Sequence, residues 1–250
     1  MSRRDNIDRI MRDWPYDPNG ISVRKRKGND GRDVLQMRLD LGLLQLETAG
    51  RPDGTRPQGA ETFYDHLIQR TLSDGEVSMS EEDCEEADRE FVQYYHRRIC
   101  WLALREFEKA VADADHTLKL MDFCRDHSPD EQWTMSHEQY RPFVMFHRTQ
   151  AAALSALGDR GAEAAVEELN RGLDQIRQVF VEYEAEEEFD DDELVARLTE
   201  LRESLRQHFR VGRTLPEQLA DAIANEKYEL AAQIRDELNR RNGHGARKGV

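Results

Sequence analysis

Two pairs of cysteine and histidine residues have the spacing of metal ligands on a helix. His96 lies four residues before Cys100, and Cys124 lies three residues before His127. Such spacings place both side chains on one helical face. If the helices that carry them are antiparallel, the two pairs lie at different heights, and Cys84 lies nearer to Cys124 and His127. Three ligands fall short of the four in a structural zinc site, so we expect core thiols and interhelix histidines, with no metal and no other cofactor.

A turn-rich loop at residues 50–59 presents the polar residues Arg51, Asp53 and Arg56. Its glycines and prolines exclude regular structure. Loops held beside strands frequently bind ligands, and with the basic residues 25–27 nearby this loop could meet an acidic partner or a phosphate. A plain connecting loop is the simpler interpretation, because no phosphate-binding motif is present. A small-ligand site or an enzyme built on this loop and the β region before it is the alternative function.

Residues arranged for catalysis are not apparent elsewhere in the sequence. No Ser/His/Asp or Cys/His nucleophile pair can be assembled, and 51 Asp and Glu residues make paired carboxylates uninformative. No Gly-x-x-x-x-Gly-Lys-Ser/Thr loop for ATP is present. The acidic run at residues 182–193 lacks the spacing of calcium ligands and is interpreted as a solvated helix end. We therefore expect a protein that is not an enzyme, with no catalytic residue.

Charge and composition limit the expected partners. The formal net charge of −15 opposes non-specific binding to DNA or RNA, because nucleic-acid phosphates would be repelled. The three cysteines are odd in number and widely spaced, so a disulfide framework is not expected. The N-terminus is charged, and no apolar run is long enough for a signal peptide or a membrane span. These features predict a soluble cytoplasmic protein without a membrane or direct nucleic-acid partner.

A small β region is predicted before residue 60. Leu35, Met37, Leu39 and Leu41 alternate with polar residues, which is the periodicity of a strand. Residues 21–27 precede them across the turn sequence Gly-Asn-Asp-Gly. A β-hairpin follows from this pattern, with a possible extension over residues 43–47.

From about residue 60 onward the apolar periodicity is helical. The predicted helices cover residues 61–72, 85–104, 106–123, 137–157, 161–183 and 194–209, followed by a helical hairpin. The fold class is therefore mainly α, with antiparallel helical pairs, a small N-terminal β-hairpin and a C-terminal helical hairpin. The predicted segments are a β-hairpin and loop region at 1–60, a helical-pair domain at 61–183, an acidic linker with an amphipathic helix at 184–212, the hairpin at 213–241, and a disordered tail at 242–250.

The first long helical pair resembles a tetratricopeptide repeat. The matching positions are Tyr94, Trp101, Phe107 and Ala110. In such repeats the aromatic residues fill the gap between helical pairs, and a small residue lets two helices approach closely. The departures from the pattern are Arg97, Arg98, Thr117 and Asp122. A weaker copy covers residues 152–176. Because stable solenoids need more copies than two, a plain helical bundle stays open as the alternative.

The most specific signal is the hairpin at residues 214–238. Thr214 and Glu217 form a capping box, and Pro216 lies in the first turn, where a missing N–H costs little. The adjacent alanines Ala231 and Ala232 remove bulk, so the two helices can lie close together. A hairpin of under thirty residues buries little apolar surface. We therefore expect it to dock onto the rest of the chain, a second copy or a partner.

This hairpin resembles the UVR motif, the short helical hairpin shared by UvrB and UvrC and found also in ClpC and McsA-type proteins. The most specific part is the run Tyr-Glu-x-Ala-Ala-x-x-Arg-Asp at residues 228–236. The other matching residues are Leu215, Leu219, Ala222, Ile223, Glu226, Ile234 and Leu238. The resemblance covers about the last thirty residues. It does not extend to the ATP site of UvrB or ClpC, or to the Cys-x-x-Cys zinc sites of McsA-type proteins.

The resemblance implies a protein–protein interaction module, because the family's hairpin binds another protein, often a second UVR hairpin. The implied partner-binding residues are Leu215, Leu219, Ala222, Ile223, Tyr228, Glu229, Ala231, Ala232, Arg235, Asp236 and Leu238. We expect a non-enzymatic adaptor whose partner carries a UVR-like hairpin, in nucleotide excision repair or in a Clp or arginine-kinase stress pathway. Self-association through the same hairpin is a further hypothesis.

Overall fold

A computed structural model describes residues 6–75 and 77–245, with side-chain environments up to residue 240. The chain forms two compact units, an N-terminal unit of residues 1–151 and a C-terminal unit of residues 152–250. The described residues contain ten α-helices and one small antiparallel sheet, which confirms the predicted mainly α fold class. None of these helices is both long and apolar enough to cross a membrane.

The sheet has three strands, β1 (Val23–Lys27), β2 (Asp33–Leu39) and β3 (Gly42–Glu47), in the order β1-β2-β3. Gly31 in the β1–β2 turn has a φ of +85°, a conformation that glycine adopts without steric cost. The predicted hairpin is therefore confirmed with its third strand. Its second strand ends earlier than predicted, since Leu41 lies in the β2–β3 turn and is 92% exposed.

Six helices begin in the N-terminal unit: α1 (Asp8–Asp13), α2 (Phe63–Asp74), α3 (Glu81–Ala103), α4 (Phe107–His127), α5 (Glu131–Glu138) and α6 (Arg141–Asp159). The sequence did not predict α1. A single helix predicted from residue 137 is wrong at its start, because α5 and α6 are separate helices. The sheet packs on the α3–α4 pair through one apolar cluster that includes Leu35, Leu46, Trp101 and Ala110.

Side chains cap the helices where the sequence changes from loop to helix. The Ser80 hydroxyl accepts a hydrogen bond from the Asp83 backbone N–H, and the Asp83 carboxylate accepts one from the Ser80 N–H, at 3.2 and 2.8 Å. Helix α2 has a local cap, because the Thr62 hydroxyl accepts a hydrogen bond from the Asp65 backbone N–H at 3.0 Å, and a second cap comes from α3. The Glu90 carboxylate on α3 accepts hydrogen bonds from the backbone N–H groups of Phe63 and Tyr64 at 2.7 and 3.0 Å. A buried acid on α3 thus satisfies the donors that start α2.

The α3–α4 pair places the repeat-like residues Tyr94, Trp101 and Ala110 in its core. Two departures from the repeat pattern, Arg97 and Arg98, are equally buried, at 4% and 1% exposure. Two adjacent buried guanidinium groups differ from the apolar and small residues of a tetratricopeptide repeat. The helical pairing is real, whereas the resemblance to that repeat is not confirmed.

The C-terminal unit contains α7 (Ala162–Glu182), a 3-10 segment (Glu186–Asp191), α8 (Glu193–Phe209), α9 (Leu215–Ala224) and α10 (Tyr228–Gly245). Phe189 anchors the acidic run. Its side chain is 4% exposed and meets the Phe180 ring edge-on. The predicted tail differs in its first part, because α10 continues through Gly245; residues 246–250 lie outside the described residues.

Candidate functional site

The C-terminal hairpin begins with an ionic cap on α9. The Glu217 carboxylate accepts hydrogen bonds from the Thr214 backbone N–H at 2.7 Å and from the Thr214 hydroxyl at 3.1 Å. It also pairs with the Arg206 guanidinium on α8. Burial of Glu217 would raise its pKa, but the Thr214 N–H and Arg206 outweigh burial, so the pKa lies below its ordinary value. The predicted contact between Thr214 and Glu217 is present, and the ion pair between Glu217 and Arg206 connects the hairpin to α8.

The turn between α9 and α10 has the geometry of a Schellman motif. The Lys227 N–H donates to the Ala222 carbonyl at 2.8 Å, and the Glu226 N–H donates to the Ile223 carbonyl at 3.0 Å. Glu226 has a φ of +57°, in the left-handed region that glycine usually occupies at this position. The chain therefore reverses tightly, at the cost of a strained non-glycine residue.

The two hairpin helices share a small apolar core. Leu215, Ala222, Ala231 and Ile234 are buried against one another, and Leu219 and Leu238 pack partly buried against them. On α10 the buried residues Ala231 and Ile234 and the partly buried Leu238 lie at i, i+3 and i+7, which is one helical stripe. Ala231 is 8% exposed at the interface, so its small side chain permits the close approach expected from the sequence.

A second stripe of α10 faces solvent. Tyr228, Ala232 and Arg235 lie at i, i+4 and i+7. Tyr228 is 68% exposed, and Ile223 at the end of α9 is 54% exposed. Ala232, which is half-buried, adds little bulk to this stripe. The exposed residues Ile223, Tyr228 and Arg235, together with the half-buried Ala232, are called the open face below.

The eleven residues predicted to bind a partner therefore separate into two groups. Those that form or border the hairpin's own core are Leu215, Leu219, Ala222, Ala231 and Leu238. Those on the open face or in solvent beside it are Ile223, Tyr228, Glu229, Ala232, Arg235 and Asp236. The resemblance did not distinguish the two groups, because a family match weights a structural position and a contact position alike. The binding role of the second group stays a prediction.

In the predicted ligand loop Arg51 and Asp53 lie close together, but Arg51 forms ion pairs with acidic residues of the protein itself. Arg51 is 4% exposed, and its guanidinium lies 2.9 Å from Glu86 and 3.6 Å from both Glu90 and Asp53. Asp53 also accepts hydrogen bonds from Thr55. Clefts of about 470 and 400 Å³ border the loop, and both are lined by Arg51, Asp53 and Arg56. The geometry gives Arg51 a clear structural role; a ligand for the loop stays a prediction.

Sequence reasoning missed several buried ionic groups in the described part of the chain. Arg97 makes a two-pronged ion pair with Asp113, with nitrogen–oxygen distances of 2.9 and 2.7 Å. Glu90 is fully buried and also contacts the His116 ring at 2.9 Å. The available signal was the pair of arginines that break an apolar repeat pattern, but their partners lie 16 to 19 residues away in sequence.

The cysteines with metal-like spacing to a histidine lie in two separate apolar clusters of the structure. Cys124 is buried in one apolar cluster with Cys84 beside it, and Cys100 lies in another cluster. Burial raises the pKa of the Cys100 thiol to about 12. His127 stacks on the Phe123 ring at 4.0 Å. Among the described residues, no group of three or more His, Cys, Asp or Glu side chains could hold a metal ion.

Comparison with known proteins identifies the hairpin. Residues 213–240 match the family model of the UVR motif, described as the UvrB/uvrC motif. The matched range contains all of α9 and most of α10, together with the capping residue Thr214. No curated protein and no solved structure matches the chain. The chain therefore carries a UVR motif at its C-terminal end.

Proposed function

We propose that this protein is a non-enzymatic adaptor that binds another protein through the open face of its UVR hairpin. The proposal depends on one observation: Tyr228 is 68% exposed, and it begins the run of residues that matches the motif most specifically. Tyrosine and arginine are the residues that most often dominate binding at protein interfaces.

The open face has the composition of a small interface. Tyr228 and Ile223 supply apolar area, and Ala232 leaves room for a partner's side chain between Tyr228 and Arg235. Glu229 and Asp236 are exposed on the same helix and supply a polar rim with both signs of charge. The packed stripe is already used within the hairpin, so a partner would add to the fold and would not replace part of it.

The partner proposed for this surface is a protein that carries a second UVR-like hairpin. The motif's pairing with its own kind favours this choice, and two such faces would set each tyrosine against the other hairpin's small residues. The pathway proposed is nucleotide excision repair or a Clp or arginine-kinase stress response, and the compartment is the cytoplasm. The net charge of −15 supports a protein partner over direct contact with nucleic acid.

The test is a calorimetric titration of the full chain with the UVR hairpins of UvrB, UvrC, ClpC and McsA-type proteins. We expect one of them to bind in the micromolar range. Tyr228→Ala and Arg235→Ala should each weaken that binding at least tenfold, which corresponds to about 1.4 kcal/mol. Tyr16→Ala is the matched control, because Tyr16 is an exposed tyrosine, 40% exposed, on the N-terminal unit.

The outcomes separate the adaptor from its alternatives. Binding of every hairpin unaffected by Tyr228→Ala would show that the open face is not the contact surface. No binding to any hairpin, together with a concentration-dependent increase in light scattering that Tyr228→Ala removes, would favour self-association. If the chain neither binds any of the hairpins nor self-associates, the proposal is rejected.

A further inference from the structure

A large apolar cavity lies within the N-terminal unit, among α3, α4, α5 and α6. Its volume is about 740 Å³, which is within the range of small-molecule sites. Its walls are largely aromatic, with Phe91 and Tyr95 from α3, Trp133 from α5 and Phe143 from α6. The cavity lies in a different unit from the UVR hairpin.

One charged group, Arg98, borders this apolar space without a counterion. Its side chain is 1% exposed and lines the cavity. It donates hydrogen bonds to the Thr117 hydroxyl at 3.1 Å and to His147 Nδ1 at 3.4 Å. Within the described part of the chain, no carboxylate lies within ion-pair distance of Arg98. The charge of Asp113 acts on Arg98 from a distance, but the Asp113 carboxylate makes its direct contacts with Arg97, at 2.9 and 2.7 Å.

The positive charge of Arg98 persists at neutral pH. Burial lowers its pKa to about 10, so the guanidinium stays protonated near pH 7. Burial, with the charge of Arg98, lowers the pKa of His147 to about 4, so that imidazole is neutral and acts as an acceptor. A buried charge without a paired opposite charge costs several kcal/mol. An anion beside Arg98 would supply the direct ion pair that Asp113, held by Arg97, does not make.

A second charged residue, Asp88, lines the cavity, and its carboxylate already has hydrogen-bond partners within the protein. Asp88 accepts hydrogen bonds from the Trp133 indole N–H at 3.0 Å and from His137 Nε2 at 2.7 Å. Asp88 precedes Arg98 by ten residues on α3, a separation of roughly 15 Å along the helix axis. An anionic ligand would therefore turn its charged end toward Arg98 and its apolar part toward Phe91 and Tyr95.

We propose that this cavity binds a small carboxylic acid with an apolar body, either an aromatic acid or a medium-chain acid. The carboxylate would pair with Arg98 and accept a hydrogen bond from Thr117, while the apolar body fills the aromatic space. Guanidinium and carboxylate match in geometry and charge. A phosphate is a poorer fit, because it carries more charge and more acceptor oxygens than one arginine and one hydroxyl can satisfy.

The experiment uses isothermal titration calorimetry at pH 7 to compare how tightly the full chain binds a carboxylic acid and the corresponding amide. The probes are 4-phenylbutyrate and decanoate, each against its primary amide. We expect an acid to bind at least tenfold more tightly than its amide. The stronger of the two acids distinguishes an aromatic from an acyl ligand. Quenching of tryptophan fluorescence on binding that is lost in Trp133→Phe would place the ligand in this cavity, because Trp133 is in its lining.

Variants at Arg98 test the charge directly. Arg98→Met should reduce acid binding at least tenfold and leave amide binding unchanged, whereas Arg98→Lys should retain part of the preference. Arg89→Met is the matched control, because Arg89 lies on the same helix with a side chain 62% exposed, and it should change nothing. Circular dichroism verifies folding. If Arg98→Met does not fold, the acid–amide comparison on the unaltered chain still decides.

Three results would overturn the proposal: equal binding of acid and amide, no binding of either acid at about 1 mM, or acid binding that persists undiminished in folded Arg98→Met. None of these outcomes bears on the UVR hairpin, so the two proposals fail or stand separately.

Discussion

The α3–α4 pair and the C-terminal hairpin are both helical pairs joined by a short turn, yet they place their charges in opposite ways. The α3–α4 pair buries charged residues inside, namely Glu90, Arg97, Arg98 and Asp113. The hairpin core contains aliphatic residues only, and its tyrosine and most of its charged residues are in solvent. Buried charges require specific internal partners, whereas exposed ones stay available to an external partner. The difference explains why substitutions in the two regions should have different consequences.

The comparison predicts the largest effect at the buried ion pair. Arg97→Ala leaves the Asp113 carboxylate, 5% exposed, without its partner. We expect a loss of about 3–5 kcal/mol in the free energy of unfolding. Urea unfolding followed by tryptophan fluorescence measures the N-terminal unit selectively, because Trp14, Trp101 and Trp133 all lie in it. Lys27→Ala, which breaks an exposed pair with Asp33, should cost less than about 1 kcal/mol. Equal costs would contradict the comparison.

A pH dependence should follow from the neutral His147. Its pKa is about 4 in the folded protein and about 6.5 in the unfolded chain. The unfolded state therefore binds the proton more readily. The associated stability is complete above pH 6.5 and is lost as the pH falls toward 4, on the order of 3 kcal/mol. His147→Gln should flatten this part of the stability curve, whereas His96→Gln should not. A His147→Gln curve parallel to that of the unaltered protein would refute the assignment.

In the hairpin, the packed stripe should be sensitive to size. Ala231→Leu forces a larger side chain between α9 and α10, and we expect a loss of about 1–3 kcal/mol in local stability. Hydrogen exchange of the hairpin amides measures this change. Ala224→Leu is the control, because Ala224 is exposed on α9 and should change stability by less than about 0.5 kcal/mol.

The strained turn should gain stability from glycine. Glu226→Gly removes the left-handed strain at φ +57°, and we expect a gain of about 1 kcal/mol. Asn225→Gly gives no such gain, since Asn225 has a φ of −95° and donates a side-chain hydrogen bond to the Asp221 carbonyl at 2.7 Å. Loss of stability in Glu226→Gly would indicate that the glutamate side chain has a contact role in the folded hairpin.

The open face should show the smallest effect on stability. Tyr228→Ala is expected to change the free energy of unfolding by less than about 0.5 kcal/mol, because its ring is mostly in solvent. Its consequence should appear in partner binding instead. A destabilisation above about 1.5 kcal/mol would show that Tyr228 supports the fold, which would remove the distinction between the two stripes of α10.

Local sequence signals predicted most of the secondary structure. Apolar periodicity indicated α3, α4, α7 and α8 to within a few residues, and turn residues indicated the sheet. The boundary between α5 and α6 was missed, although Pro142 in the first turn of α6 is a sequence signal for a helix start. The end of β2 was misplaced because Leu41 continued an alternating pattern into a turn.

The sequence by itself determined the hairpin: its cap at Thr214, its small residues at 231 and 232 and its motif match all lie within thirty residues, and local interactions define them. Tertiary structure decided the rest of the chemistry. It buried Arg51 against acids that lie 35 and 39 residues later in the sequence, paired Arg97 with Asp113 and left Arg98 facing an apolar cavity. An arginine has the same appearance in a sequence whether it is solvated, paired or unpaired. Only the arrangement of distant helices sets the desolvation and the counterions that distinguish these cases.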